Sequence, residues 1–276
     1  MQTKQNIITE MLKLLNKLYL FSVILILLIF AGKSYSQISE PEMVFVKGGS
    51  FKMGDPKGDY DEKPITHVIL SNYYIAKYEV TVKQYREFCT ATGRKMPPVP
   101  TAEWYEEHDK AKKWEWKDNN PIVKVTWNDA IAYCEWLAKE TGKNYTLPTE
   151  AQWEFAARGG TKSKNTTYSG SDNINEVAWF DETTYEKGPQ PVGKLKPNEL
   201  LIHDMSGNAW EWCKDNYGRY KGGSLTNPVG PEKSNFKVIR GGSWYYVAQM
   251  AKVTTRDGPY PHYSNYNYGF RVAINP

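Results

Sequence analysis

The segment from Asp204 to Glu211 combines residues that could bind a metal ion. Asp204 and Glu211 supply two carboxylates within eight residues, and Gly207 between them permits a sharp turn. Calcium prefers about six to eight hard oxygen ligands from carboxylates and backbone carbonyls. The segment therefore predicts a calcium-stabilised loop. The alternative is a structural turn in which Glu211 caps backbone amides.

The thiols of the chain offer little redox chemistry. The three cysteines are Cys89, Cys134 and Cys213, and no cysteine follows Cys213. This number excludes a disulfide-stapled scaffold. Cys89 and Cys134 fall inside helix patterns, which indicates buried thiols packing as small hydrophobic groups. A single disulfide with one leftover thiol is the alternative.

The histidines are too scattered to indicate a catalytic metal by themselves. A non-haem iron site uses two histidines and one carboxylate. His203 flanks Asp204 and His262 lies in a late aromatic stretch, so a pair is conceivable. The other two are His67 and His108, and this scatter favours solvated or core histidines. No Ser/His/Asp spacing or glycine-rich phosphate loop stands out.

Three helices that would position these residues are predicted from their caps. Thr81, Thr126 and Thr149 each open a capping-box pattern ahead of helically spaced apolar residues. Gly93 and Gly142 are the expected stops of the first two helices, and the third ends before residues 159–160. Each helix is predicted to be short and amphipathic.

The remainder predicts short strands and long turns. The strand candidates are residues 44–46, 68–70, 73–75, 238–239 and 270–272. Residues 159–197 are polar and rich in Gly, Asn and Pro, so they require an internal organiser such as a metal. Residues 97–120 are charged and contain tryptophan, which predicts an inserted surface loop.

The N-terminus predicts an export signal. Lysines precede an uncharged run over residues 18–32, and Ser34 and Ser36 supply small residues for cleavage. The run is shorter than the roughly 20 residues that span a bilayer, so a retained anchor is the weaker alternative. We therefore expect a signal peptide over residues 1–36, cleavage near Ser36, and one domain over residues 37–276 in a secreted or periplasmic protein.

Composition excludes one class of partner and indicates another. Residues 1–36 hold four lysines and one glutamate, so their removal lowers the net charge from +4 to about +1. No basic stripe for nucleic acid is evident. Ten Trp and 20 Tyr suit either a groove that binds peptides or sugars, or a core rich in irregular backbone.

Ordered motifs over residues 43–272 resemble the formylglycine-generating enzyme (sulfatase-modifying factor) family. The matching segments are residues 48–54, 77–81, 121–127, 147–154, 191–193, 204–212, 240–244 and 269–271. The resemblance implies a mixed α/β (α+β) fold with long loops, related to C-type lectins and tied by calcium. It adds the backbone carbonyls of Gly207 and Ala209 to the carboxylates of Asp204 and Glu211 as calcium ligands. A second family calcium site would lie near residues 177–181, where this sequence departs from the pattern.

Comparison with the same family indicates that this sequence lacks the copper ligands of the family's oxidases. The family's oxidases bind copper(I) through two thiolates after a Gly-Gly-Ser segment, and sulfur suits that soft ion. The corresponding residues here are Tyr246 and Ala251, which cannot hold copper(I). The sequence thus predicts structural calcium, no copper and no catalytic residue.

Without the copper site, the resemblance still implies a substrate-binding groove. The family's substrate peptide lies along the Gly-Gly-Ser segment and the final loop. The groove residues predicted here are Ser243, Trp244, Tyr245, Tyr246, Arg256 and His262. Aromatic faces with a few cations suit an extended peptide or a glycan. A tyrosine-rich surface packed against its own loops is the alternative.

Three functions follow from these observations. The favoured one is an exported, non-catalytic domain that binds a protein or glycan of the cell envelope, with no nucleic acid and with membrane contact only through the export signal. The second is an oxidoreductase of the formylglycine-generating or non-haem iron branch that uses a different metal site. The third is a structural module of a cell-envelope machine, with its interface elsewhere, for example on residues 97–120.

Overall fold

The chain divides into two units, Met1–Ile38 and Ser39–Pro276. The structure is a computed structural model, and it describes residues 11–21, 38–101, 104, 115–184 and 187–275. In the first unit, residues 11–21 form a helix. Among the described residues, no helix has the length and apolar character needed to cross a membrane. Most of the predicted export signal, including Ser36, lies outside these residues.

The helices of the second unit are short. Five α-helices are described: α1 Val82–Thr92, α2 Trp127–Thr141, α3 Glu150–Ala157, α4 Ile174–Val177 and α5 Asp181–Thr184. Three 3-10 helices lie at Tyr60–Glu62, Gly160–Lys162 and Ala248–Ala251. Helices α1, α2 and α3 are the three that the sequence predicts.

The capping boxes form as predicted. Thr81, Thr126 and Thr149 each accept a hydrogen bond from the backbone N–H three residues on, and the side chain at that third position accepts from the cap's own N–H. Gly93 and Gly142 adopt the left-handed conformation that ends α1 and α2. Since these bonds are local, sequence alone determines these helix starts.

Helix α3 corrects one expectation. It is not amphipathic, because all eight of its residues are buried. Trp153 and Phe155 join the main core with strand residues such as Tyr73 and Ile75. The polar members Glu150 and Glu154 are buried as well, and they pair with arginines. The helix is therefore a central element around which the loops and sheets assemble.

The described strands form three small sheets. The strands are β1 Met43–Val46, β2 Gly49–Met53, β3 Thr66–Leu70, β4 Tyr73–Ala76, β5 Tyr145–Thr146, β6 Trp210–Asn216, β7 Ser224–Thr226, β8 Lys237–Arg240, β9 Arg256–Asp257, β10 Tyr268–Gly269 and β11 Ala273–Ile274. Their orders are β1-β4-β11-β5, β10-β6-β8-β9 and β2-β3-β7. The mixed α/β class with long loops is confirmed.

One strand prediction and one loop prediction need correction. Residues 270–272 are not a strand, because they link β10 of one sheet to β11 of another. The predicted calcium loop runs directly into β6, the longest described strand, so Glu211 lies in a strand rather than a loop. Strand β6 pairs with β8 and β10, and this pairing brings Glu211 opposite Arg240 and Gly269.

The long polar segment 159–197 is organised by side-chain hydrogen bonds. Ser169 Oγ donates to the carbonyl of Ala157, and Asn198 Nδ2 donates to the carbonyl of Ala156. Asp172 accepts from both the backbone and the hydroxyl of Thr167, at 2.8 Å each. These bonds supply the internal organiser that the sequence required. Residues 185–186 lie outside the description.

Candidate functional site

The loop from Asp204 to Ala209 makes the tight turn that Gly207 predicts. Gly207 has a φ of 79°, and Asp204 and Asn208 also have positive φ. A side chain at residue 207 would collide with the carbonyl oxygen of Trp179, 2.2 Å from an added Cβ. Asn208 N–H donates to that same carbonyl at 2.7 Å. The segment near 177–181 therefore abuts this loop directly.

Glu211 is fully buried and held by side chains. Arg271 Nε and Nη2 each donate to a different Glu211 oxygen at 2.6 Å. Trp153 Nε1 donates to Oε2 at 2.7 Å. Glu211 therefore caps no backbone amide among the described residues, and both its oxygens are already engaged. A bidentate guanidinium pair of this kind fixes the carboxylate's orientation.

The backbone cap of this loop is Glu79, which sequence reasoning did not assign to the site. Its Oε1 accepts from the backbone N–H of Ala209 at 3.0 Å, and its Oε2 accepts from Asn208 Nδ2 at 2.8 Å. Glu79 just precedes α1, and it belongs to a segment that carried the family resemblance. That resemblance was the only sequence signal for it, as it was for Arg271.

Asp204 keeps one oxygen uncommitted. Its Oδ2 accepts from the backbone N–H of Gly193 at 2.7 Å. Its Oδ1 is buried and has no hydrogen-bond partner among the described residues. An unpaired buried carboxylate oxygen is costly, so this atom is the feature of the loop that fits a cation.

The charge balance points in the same direction. Glu79, Asp204, Glu211 and Arg271, here called the acidic cluster, contain three carboxylates and one guanidinium, a net charge of −2 when ionised. Burial, then repulsion by the other two carboxylates, raises the pKa of Glu79 well above its usual range. Burial raises the pKa of Asp204 to about 6. A divalent cation would supply the two missing positive charges.

The donor set fits calcium in part. No three His, Cys, Asp or Glu side chains in the described part of the chain are disposed to hold a metal. A calcium ion would therefore depend on Asp204 and on the carbonyls of Gly207 and Ala209. Glu211 could join only by sharing oxygens that Arg271 and Trp153 already occupy. The ion's role there would be structural, tying the loop to β6.

The two positions that the resemblance assigns to copper thiolates differ in exposure. Tyr246 is partly buried, and its ring lies 5.9 Å from Trp210 in an edge-on arrangement. Ala251 is fully buried, and its carbonyl accepts from Ser206 Oγ at 2.7 Å. Neither carries a sulfur atom. All three cysteines are free and buried, as predicted for Cys89 and Cys134, and burial raises the pKa of each thiol.

The described histidines do not converge on a carboxylate pair either. His203 packs 5.2 Å from the Tyr78 ring, and its Nδ1 lies 2.8 Å from the Leu195 carbonyl. Burial lowers the pKa of His203, as for a core histidine. His67 and His262 are exposed. His108 lies outside the described residues.

Half of the predicted groove is buried, which corrects that prediction. Ser243 and Trp244 are buried, and Trp244 Nε1 donates to the Tyr266 carbonyl at 3.0 Å. Arg256 is buried too, with two 2.7 Å bonds to Glu150. These three side chains are buried and therefore do not line an open groove.

Of the remaining groove residues, Tyr245 and Tyr246 form an aromatic surface together with the neighbouring Tyr263; the aromatic surface is defined here as these three tyrosines. The rings of Tyr245 and Tyr246 lie 6.0 Å apart, and Tyr263 is half exposed. Tyr263 is close enough to Tyr246 to raise its pKa, after burial and Asp257. Beside it, exposed His262 stacks on Tyr260 at 5.4 Å. Rings presented edge and face in this way can pack against an apolar or planar ligand.

Apart from the loop and the aromatic surface, the protein has a cavity of about 250 Å³, which is lined in part by Glu150, Arg256 and Asp215. Asp215 Oδ2 accepts from the Glu150 N–H at 3.0 Å. Burial, reinforced by the Glu150 charge, raises the pKa of Asp215 to about 8, against the opposing influence of Arg256 and Lys214. This carboxyl therefore favours the protonated form in the folded protein.

The raised pKa of Asp215 predicts a pH-dependent stability. The folded protein holds this proton more tightly than the unfolded chain, so the associated stability is present at low pH and is lost as pH rises from about 4 to about 8. Between pH 5 and pH 8, the free energy of unfolding of Asp215→Asn should rise relative to that of wild type by at least about 1.4 kcal/mol, which corresponds to one pKa unit. Urea unfolding at both pH values measures this; an equal difference at both would contradict it.

The fold and the site define a mixed α/β domain of sulfatase-modifying-factor type. The chain belongs to the sulfatase-modifying factor enzyme 1-like domain family, whose model matches residues 31–276. The chaperone protein LppX of Paenibacillus barcinonensis is 32% identical over 262 residues, covering 77% of this chain and 82% of that protein. The inactive C-alpha-formylglycine-generating enzyme 2 of Mus musculus is 32% identical, covering 85% and 86%. The solved structure of Treponema denticola variable protein 1 is 25% identical with a TM-score of 0.73, covering 88% and 99%.

Proposed function

We propose that this protein is an exported, non-catalytic member of the family that binds a protein or glycan of the cell envelope through its aromatic surface. The observation that carries the proposal is the chemistry of the former thiolate positions. One holds the partly exposed phenol of Tyr246, and the other holds the buried methyl group of Ala251. A site without sulfur cannot bind copper(I) through thiolates, whereas a phenol beside other aromatic rings favours ligand packing.

The relatives are compatible with this proposal. One is described as an inactive formylglycine-generating enzyme and another as a chaperone. The family thus includes proteins whose descriptions do not depend on the oxidase reaction. Export rests on the predicted signal peptide over residues 1–36, and it places the protein in a secreted or periplasmic compartment. Calcium, held by Asp204 with the carbonyls of Gly207 and Ala209, would stabilise the loop beneath the aromatic surface.

The alternatives find less support. An oxidoreductase with a different metal would need a ligand set, and the described residues hold no group of three His, Cys, Asp or Glu side chains suited to a metal. A structural module with its interface on residues 97–120 stays an alternative, because half of that segment lies outside the described residues. A binding experiment separates this third function from the first.

The aromatic surface can be tested by a double substitution. Tyr245→Ala with Tyr246→Ala should abolish capture of a partner from a solubilised envelope fraction, because the two neighbouring rings are removed together. The matched control is Tyr60→Ala with Tyr74→Ala, two exposed tyrosines elsewhere. Immobilised full chain is the bait, and thermal unfolding checks that each variant folds. Prior treatment of the fraction with protease or glycosidase identifies the partner's class. Equal capture by both double variants would favour the structural module instead.

A further inference from the structure

A large cleft lies outside the aromatic surface and has a different chemistry. Its volume is about 970 Å³, at the upper end of small-ligand sites, which measure roughly 300–1,000 Å³. Strand β2, the loop that follows α3 and residues 252–254 form its walls. None of its lining residues belongs to the acidic cluster or to the predicted groove.

One wall of the cleft is rich in hydroxyl and amide groups. The loop after α3 contributes Thr161, Ser163, Asn165, Thr166 and Thr167. Most of these side chains are exposed or half-buried. Hydroxyl and amide groups both donate and accept hydrogen bonds, so this wall suits a ligand that also carries many hydroxyl groups. The floor is apolar, because the Phe51 and Phe155 rings lie 5.1 Å apart there.

The charges of the cleft are mainly positive. Lys52, Lys252 and Arg158 line it, and Asp55 is the single acidic residue among its described lining. Neither Lys52 nor Lys252 has an ion-pair partner in the described part of the chain. Several other surface lysines, such as Lys196 with Glu176, are paired. Lys52 and Lys252 thus bring to the cleft two cations that no described carboxylate neutralises, whereas Arg158 is paired with Glu154.

Hydrogen bonds hold the Arg158 side chain in place in the wall of the cleft. Its Nε donates to Glu154 Oε1 at 2.9 Å, and its Nη2 donates to the Gly54 carbonyl at 3.0 Å. Its Nη1 has no partner among the described residues. A guanidinium fixed on one side loses little rotamer freedom when its remaining N–H groups bind an anion. The arginine is therefore preorganised for an acidic group.

We propose that this cleft is a second binding site, specific for an acidic oligosaccharide. Carboxylates of the sugar would face Lys52, Lys252 and Arg158, ring hydroxyls would face the Thr/Ser wall, and a sugar C–H face would lie on Phe51. Single-stranded nucleic acid is a poorer match, because binding it requires a continuous basic groove and a series of exposed stacking rings. The proposal does not depend on the aromatic surface, since it uses neither Tyr245 nor Tyr246.

Calorimetric titration with a tetragalacturonate tests the ligand class. The protein purified after expression of the full chain should bind the free acid at least tenfold more tightly than the same oligosaccharide with its carboxylates methyl-esterified. Binding should weaken with added salt, because the lysines are exposed or half-buried. Equal affinity for acid and ester, no binding of either, or equal binding of a single-stranded oligonucleotide of matched charge would overturn the proposal.

Two double variants locate the site. Lys52→Gln with Lys252→Gln should weaken tetragalacturonate binding at least tenfold. The matched control is Lys139→Gln with Lys233→Gln, two exposed lysines outside the cleft, which remove the same charge and should leave affinity unchanged. The Tyr245→Ala, Tyr246→Ala variant should also bind normally. Equal losses in both lysine variants would show a diffuse charge effect and contradict the cleft assignment. Loss in the tyrosine variant would place the sugar on the aromatic surface instead.

Discussion

Replacing Arg271 with methionine is expected to lower the free energy of unfolding by about 3–5 kcal/mol. Arg271 is fully buried, and two 2.6 Å bonds join it to Glu211. It is also the single cation of the acidic cluster. Its removal leaves the buried Glu211 carboxylate without its positive partner, and this uncompensated charge is what makes the change costly. Two further bonds, to the carbonyls of Ala76 and His203, are lost with it.

Urea denaturation of the full chain measures this effect. The matched control is Lys196→Met, which breaks the exposed pair with Glu176 and should cost no more than about 1 kcal/mol. The comparison isolates burial, because each substitution removes one cation from one ion pair. A loss below about 1 kcal/mol for Arg271→Met would show that the acidic cluster does not depend on its guanidinium.

Removal of calcium is expected to lower the melting temperature of the wild-type protein by about 5–11 °C. Calcium at about 100 times its dissociation constant contributes about 2.7 kcal/mol. A domain of this size shifts by about 2–4 °C for each kcal/mol. The physical reason is the unpartnered Oδ1 of Asp204 and the excess of three buried carboxyl groups over one guanidinium in the acidic cluster, both of which the ion would offset.

The calcium prediction is checked by thermal unfolding with and without EGTA in excess magnesium. Asp204→Ala should have a lower melting temperature than wild type and should respond little to EGTA, because its free carboxylate oxygen is gone. Asp172→Ala, which removes an exposed carboxylate, should keep the full response. An identical response to EGTA in wild type and Asp204→Ala, or none in wild type, would contradict calcium at this loop.

The elements predicted from sequence are those determined by local contacts. Thr81, Thr126 and Thr149 each bond to residues three positions away, so a short window of sequence contains the whole motif. The burial of α3 was missed, because it depends on sheets and loops distant in the chain. Strand β6 was missed for the same reason, because its pairing with β8 and β10 depends on residues outside the strand itself.

The same distinction between local and distant contacts applies to the candidate site. Gly207 and Asp204 could be predicted from turn and ligand chemistry within one loop. Glu79 and Arg271 could not, since they lie 130 residues from Ala209 and 60 residues from Glu211 respectively. The family resemblance implied that Trp244 and Arg256 lie in an open groove, yet both are satisfied inside the core. Residue type alone does not show whether an aromatic or cationic side chain is exposed, because exposure depends on the partners of that side chain in the fold.

We propose that the frame of a formylglycine-generating enzyme persists here without its oxidase chemistry. Mass spectrometry tests it directly: the purified protein is incubated with copper(I), oxygen, a thiol reductant and a cysteine-containing sulfatase peptide. Because Tyr246 and Ala251 stand at the thiolate positions, we expect a peptide that retains its cysteine thiol at every time point. Conversion of that cysteine to formylglycine would contradict this proposal.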